Sequence, residues 1–265
     1  MNIKKKLLVI LRAIKQFGLD PIIFFNSLYN IPFYLKCYYK FRSKYKGKIS
    51  LYPCLNDRKK EAGAINNEYF WQDLLVSRWI FSDNPKKHVD IGSRLDGFIA
   101  HLATFREVEI FDIRPITQKI PNVIFKKADL ASKVIINDHE KNNYCDSLSC
   151  LHALEHFGLG RYGDKIDPKG YIFGIENMAK FLRPNGKFYL STPIGEERVE
   201  FNANWIFNPK KIIQIALNNN LILSKLSIFS YEHGMLDINV NEVILNKLEK
   251  QKYNLGIFTF IKKSI

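Results

Sequence analysis

Three acids occupy positions that suit the holding of a nucleoside. Asp90 stands just ahead of Gly92 in HVDIGSRLDG, Asp112 closes VEIFD, and Asp129 follows IFKKA. An acid about 20 residues beyond a glycine turn is placed to accept hydrogen bonds from ribose hydroxyls. One at the next strand end can accept from the exocyclic amine of adenine. A second group lies in DSLSCLHALEHFGLGRYGD, where His152 and His156 stand at i, i+4 with Glu155 between them. Histidine can take a proton near neutral pH. His156 is the expected general base, with Glu155 and Asp164 beside it, and His152 is expected to line the cofactor; for either histidine a hydrogen-bonded structural role stays open. Arg161 and Tyr162 sit among three glycines, in a loop able to approach a ligand closely. A third group, Asn202, Asn204 and Trp205, offers two amides and an indole, either a sugar-binding surface or a plain surface loop.

These residues need elements to position them. From Lys87 onward strand-like and helix-like segments alternate: strands at His88–Ile91, Val108–Phe111, Val123–Phe125, Ser147–Cys150 and Lys187–Ser191, and helices at Gly97–Phe105, Tyr171–Leu182 and Pro209–Asn218. Pro184-Asn185-Gly186 reads as a turn before the fifth strand. Leu221–Ser230 and Asn254–Lys262 read as two late strands forming an antiparallel closing hairpin. The pattern predicts an α/β fold, a Rossmann-like class I methyltransferase sheet, mostly parallel with an antiparallel C-terminal strand. Ligands of such sheets sit outside the carboxyl ends of the strands. All three acids fall there.

The turn decides between cofactors. It carries only Gly92 and Gly97, not G-x-G-x-x-G, and Asp96 would repel a diphosphate from the helix start that normally attracts one. S-adenosylmethionine has no phosphate, and acids suit its cationic aminoacyl part. The expected cofactor is therefore S-adenosylmethionine rather than NAD. The expected contacts are Asp90, Gly92, Ser93, Arg94, Asp112 with Ile113, Asp129 with Leu130, Leu151, His152, and Tyr69 on the preceding helix. No metal is expected: His156, Asp164 and Asp167 are the nearest to a ligand set, and His-Ala-Leu-Glu-His is not the zinc-protease order.

Net charge is +14, unevenly placed. Residues 1–60 hold fourteen Lys and Arg against Asp20 and Asp57, hence +12, which leaves +2 for the remaining 205 residues. Residues 5–46 read as two helices, Lys5–Phe17 and a second opened by Pro21, with Pro32 expected to kink or split it. The domain plan is a basic helical arm at 1–48, a lead-in with the helix Glu68–Phe81 at 49–86, and a catalytic domain at 87–265. The arm's mixture of aromatic and basic residues fits packing on the protein itself, an anionic lipid surface or, with less support, RNA. The apolar run Leu7–Leu11 is too short for a secretory or membrane-spanning segment, which places the chain in the cytoplasm, with peripheral membrane contact through the arm left open. Four cysteines in no Cys-x-x-Cys pair read as free thiols.

Several strings together resemble a known family: HVDIGSRLDGF, EVEIFDIRP, SLHALEHFGLGRYGD followed by IDP, LRPNGKFYLSTPIG, and EFNANWIF, preceded by YPCLNDRKKEAGAINNEYFWQD. They resemble a bacterial group first described as a domain of unknown function and related to class I S-adenosylmethionine-dependent methyltransferases. The resemblance spans roughly residues 50–210 and implies cofactor contacts at Asp90, Gly92, Ser93, Asp112, Asp129 and Leu151-His152. Arg94 departs from it, standing where a second glycine is common. The group resembles enzymes of surface-glycan gene clusters, which implies an O-methyltransferase acting on a sugar, nucleotide-sugar or surface-polysaccharide precursor. A non-catalytic cofactor-binding or scaffold protein of the same fold, and an RNA methyltransferase, are the alternatives.

Overall fold

A computed structural model describes residues 3–60, 63, 65, 67–132 and 142–264. The chain forms two compact units, 1–64 and 65–265. Positions 61, 62, 64 and 66 of the lead-in string lie outside the described residues.

In the first unit, α1 (Ile3–Gln16) ends at Gly18, whose φ of +80° suits glycine, and α2 (Pro21–Arg42) follows. Asp20 caps α2, its carboxylate accepting from the amides of Ile22 and Ile23 at 2.9 and 3.2 Å, while Lys15 pairs with it at 2.8 Å. Pro32 neither splits nor ends α2. It withholds one amide from the helix ladder, and the turns on either side carry the helix through. The chain after α2 folds back on it: Asn56 donates to Ser27 Oγ at 2.7 Å, and the Arg58 guanidinium lies 3.8 Å from the Phe33 ring centroid. No residue of α2 is buried.

The second unit opens with α3 (Glu68–Asp83), capped by Asn67, whose side chain accepts from the amide of Phe70 at 2.9 Å. Then come β1 (His88–Ile91), a π-helical turn (Leu95–Ile99) running into α4 (Ala100–Ala103), β2 (Val108–Asp112), β3 (Val123–Lys127) and β4 (Cys145–Leu151). A single 3-10 turn (Leu154–His156) leads towards α5 (Gly170–Phe181) and β5 (Leu182–Ile194). The short hairpin β6 (Arg198–Glu200) and β7 (Asn204–Ile206) precedes α6 (Pro209–Asn218), β8 (Leu221–Ser230), β9 (Gly234–Ile238), α7 (Glu242–Leu248) and β10 (Asn254–Lys262).

The main sheet runs β3-β2-β1-β4-β5-β10-β8-β9. Strands β1 to β5 pair in parallel, and β10 is antiparallel to both its neighbours. That order, with a late antiparallel strand inserted beside β5, defines the methyltransferase variant of the Rossmann sheet. Apolar residues cover both faces. Val76, Ile80, Phe98 and Leu102 from α3, the π-turn and α4 pack on one side, and Tyr171, Ile175, Met178 and Ile212 from α5 and α6 on the other. Parallel strands buried on two faces are usually apolar throughout, and β1, all four of whose residues are buried, departs from this by carrying His88 and Asp90.

Three local expectations need correction. The late strands β8 and β10 do pair, but no simple hairpin joins them. The hairpin is β8–β9, and α7 carries the chain to β10, which enters between β5 and β8. Pro184-Asn185-Gly186 does not precede the fifth strand but lies inside β5. The register jumps there from Cys145 opposite Leu182 to Ser147 opposite Lys187, and Asn185 takes a φ of +63°, so turn residues form a bulge. The helix expected at Gly97 begins at Leu95 as a π turn, with Gly97 inside it. A Cβ on Gly97 would crowd the carboxylate of Asp73 on α3, which would have to turn aside.

Candidate active site

The β1 turn is built by a chain of buried polar groups. Asp90 is fully buried and accepts from the Ser93 amide at 3.0 Å, from Ser93 Oγ at 2.6 Å and from Ser149 Oγ at 2.5 Å. Ser93 Oγ in turn accepts from the Leu151 amide at 3.1 Å, tying the turn to β4. Behind Asp90, His88 bonds Ser147 Oγ through Nδ1 at 2.8 Å and Ser149 Oγ through Nε2 at 3.0 Å. Because Ser149 gives its proton to Asp90, it must accept from His88, so the neutral imidazole carries its hydrogen on Nε2. Burial drives the His88 pKa down to about 3 and pushes Asp90 up to about 6. Gly92 follows at φ +70°, and a Cβ there would meet Ala153 Cβ at 3.0 Å.

Outside this turn lies a cavity of about 650 Å³, within the size range of small-molecule sites. Most of the expected site residues line it: Tyr69, Gly92, Ser93, Arg94, Asp112, Ile113, Asp129, Leu130, His152, Glu155, His156, Arg161, Tyr162, Asp164 and Asn204. Asp112, at the end of β2, accepts from the Arg114 amide at 2.8 Å and from Arg114 Nη2 at 2.6 Å. Asp129 accepts from the Ala131 amide through Oδ1 at 2.9 Å. The Arg114 guanidinium also lies 4.6 Å from the Tyr162 ring centroid, linking the two walls.

Four expected residues lie elsewhere. Asp90 does not line the cavity, because both its oxygens are spent on the turn. Leu151 is buried among Ile110, Tyr189 and the other apolar side chains of the α3 face. Asn202 is exposed in the β6–β7 turn. Trp205 stacks on Phe207 at 6.0 Å and packs against Tyr171 at 5.2 Å, so its ring serves the core and not a sugar. Asn204 reaches the cavity wall but donates its amide to the Trp205 carbonyl at 3.1 Å. Asp164 lines the cavity, yet its oxygens accept from the amides of Gly158, Gly160 and Tyr162 at 3.0, 3.1 and 3.2 Å. That makes it the anchor of the glycine loop rather than a proton carrier. Among the described residues no group of His, Cys, Asp and Glu could hold a metal ion.

The two histidines differ in their surroundings. His156 Nδ1 stands 2.8 Å from the Ala203 carbonyl, which can only accept, so Nδ1 carries the hydrogen and Nε2 the lone pair. Burial lowers its pKa, with Glu155 opposing and Arg161 assisting, so His156 is neutral at pH 7. His152 sits at φ +51°, a conformation rare for a side-chain-bearing residue. Burial works against its charge, but Glu155 and Glu68 outweigh burial and raise its pKa. Glu155, fully buried, is held below the usual carboxylate range by His152 despite the opposing burial.

Sequence reading missed Glu68, Arg114 and Tyr253, all lining the cavity. Glu68 is the first residue of α3, where an acid ordinarily answers the helix dipole, and nothing in EYFWQD marks it as buried. Tyr253 donates to Glu68 Oε1 at 2.7 Å across a separation of 185 residues, which no local pattern reports. Arg114, two residues after Asp112, carried the only local signal, since an Arg at that spacing can turn back on its acid.

Strand order and a ligand-sized cavity at the carboxyl ends of the parallel strands define an α/β protein of the class I methyltransferase fold. The chain belongs to the family DUF268, described as "Caenorhabditis protein of unknown function", whose model matches residues 111–256. No curated protein matches it in sequence. Similar solved structures include the Burkholderia thailandensis 1,6-didemethyltoxoflavin N1-methyltransferase with S-adenosylhomocysteine, at 12% identity and TM-score 0.47 over 74% of this chain and 80% of that one. The N-methyltransferase NodS of Bradyrhizobium japonicum, also with S-adenosylhomocysteine, shows 14% identity and TM-score 0.46 over 73% and 86%. A Haemonchus contortus phosphoethanolamine N-methyltransferase shows 13% and 0.48 over 74% and 53%. At these values the fold assignment rests on the strand order itself.

Proposed function

We propose that this chain is an S-adenosylmethionine-dependent O-methyltransferase whose acceptor is a sugar, nucleotide-sugar or surface-polysaccharide precursor. The observation that carries the reading is that Asp112 and Asp129, at successive strand ends, line the same cavity as a neutral, oriented His156. The residues fit the donor. Asp112, whose carboxylate Arg114 holds through both oxygens, and Asp129 line the cavity at successive strand ends, where a ribose hydroxyl and the adenine amine would meet them. Gly92 lets the backbone approach without a Cβ. When bound, S-adenosylmethionine supplies an activated methyl group. His156 Nε2 takes the acceptor's hydroxyl proton as the oxygen attacks, and its Nδ1–H bond to Ala203 keeps the ring in that tautomer. Arg161, which shares the Ala203 carbonyl at 2.9 Å, and Tyr162 supply polar contacts for a hydroxylated or anionic acceptor.

The sugar class is supported by the sequence resemblance to glycan-cluster enzymes and by these polar groups. The basic arm supports a working place at the inner membrane face, where lipid-linked precursors would be met. No described helix is long and apolar enough to cross a membrane. Calorimetry with S-adenosylmethionine and S-adenosylhomocysteine tests the donor, and methyl transfer to a panel of sugars and nucleotide sugars tests the acceptor. Binding of neither ligand at millimolar concentration rejects the enzyme reading. Binding without transfer to any acceptor favours a scaffold protein of the same fold.

A further inference from the structure

Glu68, His152 and Glu155 leave more polar capacity in the cavity than they use. Glu155 Oε1 accepts from His152 Nδ1 at 2.7 Å. Glu68 Oε1 accepts from Tyr253 and stands 3.4 Å from His152 Nε2. Glu68 Oε2, Glu155 Oε2 and His152 Nε2 are buried without a hydrogen-bond partner among the described residues. Glu155 is 1% and Glu68 7% exposed, and both line the cavity. A carboxylate oxygen held away from water and left unpaired is costly unless a ligand answers it. Two carboxylates against one imidazolium make the cluster net negative. The Tyr69 ring, 4.4 Å from the His152 ring between centroids and with the Arg94 guanidinium 5.0 Å from its own centroid, forms one wall beside the cluster.

The position of the cluster narrows what it could hold. Strand order β3-β2-β1-β4 places Asp129, Asp112, the Gly92 turn and then this cluster in succession along the cavity. Ala153, the residue after His152, is the one that a Cβ on Gly92 would strike. In S-adenosylmethionine the nucleoside continues through its 5′ carbon into a sulfonium. With the nucleoside at Asp129 and Asp112, the next group along the cavity is that cation.

We propose that Glu68 and Glu155 form a seat that reads the positive charge of the donor's sulfonium, so that the site prefers the charged donor to the neutral thioether product. This rests on the donor reading above. The α-ammonium is common to both ligands, so the difference between them isolates the sulfonium. Calorimetry would compare S-adenosylmethionine, S-adenosylhomocysteine and sinefungin, which carries an amine in place of the methylated sulfonium, on the wild-type chain and on Glu68→Gln and Glu155→Gln. The wild type is expected to bind S-adenosylmethionine the more tightly of donor and product. Each variant should weaken S-adenosylmethionine and sinefungin roughly tenfold, as for losing one charge-assisted contact, and S-adenosylhomocysteine less than about twofold. Equal loss for all three ligands, or no loss, overturns the seat while leaving the donor reading intact. A wild type that binds none of them overturns the donor reading and the seat with it. Should Glu155→Gln fail to fold, Glu68→Gln at the start of α3 still decides, because retained S-adenosylhomocysteine binding certifies its fold.

Discussion

His156 and Asp112 divide the proposed chemistry between a transition-state task and a ground-state one, and substitutions separate the two. His156→Ala should lower turnover about 10²–10⁴-fold with donor affinity nearly unchanged, because a base acts mainly in the transition state. Collapse of donor binding with turnover per bound donor preserved would make His156 a pocket residue. Its burial-lowered pKa also sets the acid side of the rate profile. Activity should hold through pH 7 and fall only below the ordinary imidazole value of 6.5, as Nε2 is protonated. An acid limb centred above 6.5 would assign the proton transfer to another group. Asp112→Ala should weaken donor binding by about 1–3 kcal/mol, the cost of charge-assisted hydrogen bonds to ribose. Unchanged affinity in a folded Asp112→Ala chain would reject that assignment. At this scale the sequence was informative about residue identity and uninformative about environment. Asp90, Asp112 and Asp129 look equivalent as strand-end acids, yet Asp90 is consumed by Ser93 and Ser149 while the other two face the cavity. The difference depends in part on one serine of β4, Ser149, 59 residues away.

One strand, β1, carries two buried groups, His88 and Asp90, whose pKa values move in opposite directions, which gives the fold a pH signature. The His88 value falls from 6.5 to about 3, so its contribution to stability is complete above 6.5 and is lost as pH falls towards 3. The Asp90 value rises from 3.8 to about 6, so its contribution is present below 3.8 and is lost as pH rises through 6. Between pH 6 and 4 the two contributions oppose and nearly cancel, and below 3.8 only His88 still titrates, so net stability should fall on acidification from 3.8 towards 3. His88→Gln, which keeps a donor and an acceptor, leaves the Asp90 contribution alone, so stability by urea melt should rise on acidification from pH 6 to 4. A pH dependence unchanged from wild type would show that neither histidine burial nor the Ser147–His88–Ser149 chain governs acid unfolding. Elements were the most legible level. Pro209–Asn218, Leu221–Ser230 and Asn254–Lys262 read off the sequence at their observed bounds, because an Asn208 cap with Pro209 opens the first and aliphatic- and aromatic-rich stretches mark the two strands. What escaped was pairing: β9 and α7 between the last two long strands lack a strong period, and a bulge inside β5 looks like a turn when only neighbours are read. Gly158 makes the same point for loops. A Cβ there would meet the Asp167 carbonyl at 1.9 Å at a φ of +78°, so Gly158→Ala should dislodge the Asp164-anchored loop and with it Arg161 and Tyr162. Amide exchange across 157–167 unchanged from wild type would contradict that.

Over the whole molecule the charge is divided as sharply as the chemistry. Residues 1–60 carry +12 of the +14, yet the cavity belongs to the second unit. In the first unit, α2 buries none of its side chains, and Ile22, Phe24, Phe25, Tyr29, Tyr39 and Phe41 are all more than half exposed. A helix that leaves large aromatic side chains in water beside Lys36, Lys40 and Arg42 has the composition of an interfacial helix. Each basic residue near an anionic lipid surface contributes about 1 kcal/mol, and buried apolar area adds to it. The full chain should therefore sediment with vesicles rich in anionic lipid and less so with neutral ones, and the bound fraction should fall as salt screens the attraction. A chain lacking residues 1–46 should remain in the supernatant and still bind the donor. Equal sedimentation of the two chains would remove the membrane reading. Affinity of the full chain for RNA that falls steeply with salt, without vesicle binding, would instead assign the arm to nucleic acid, since counterion release from phosphates gives that dependence.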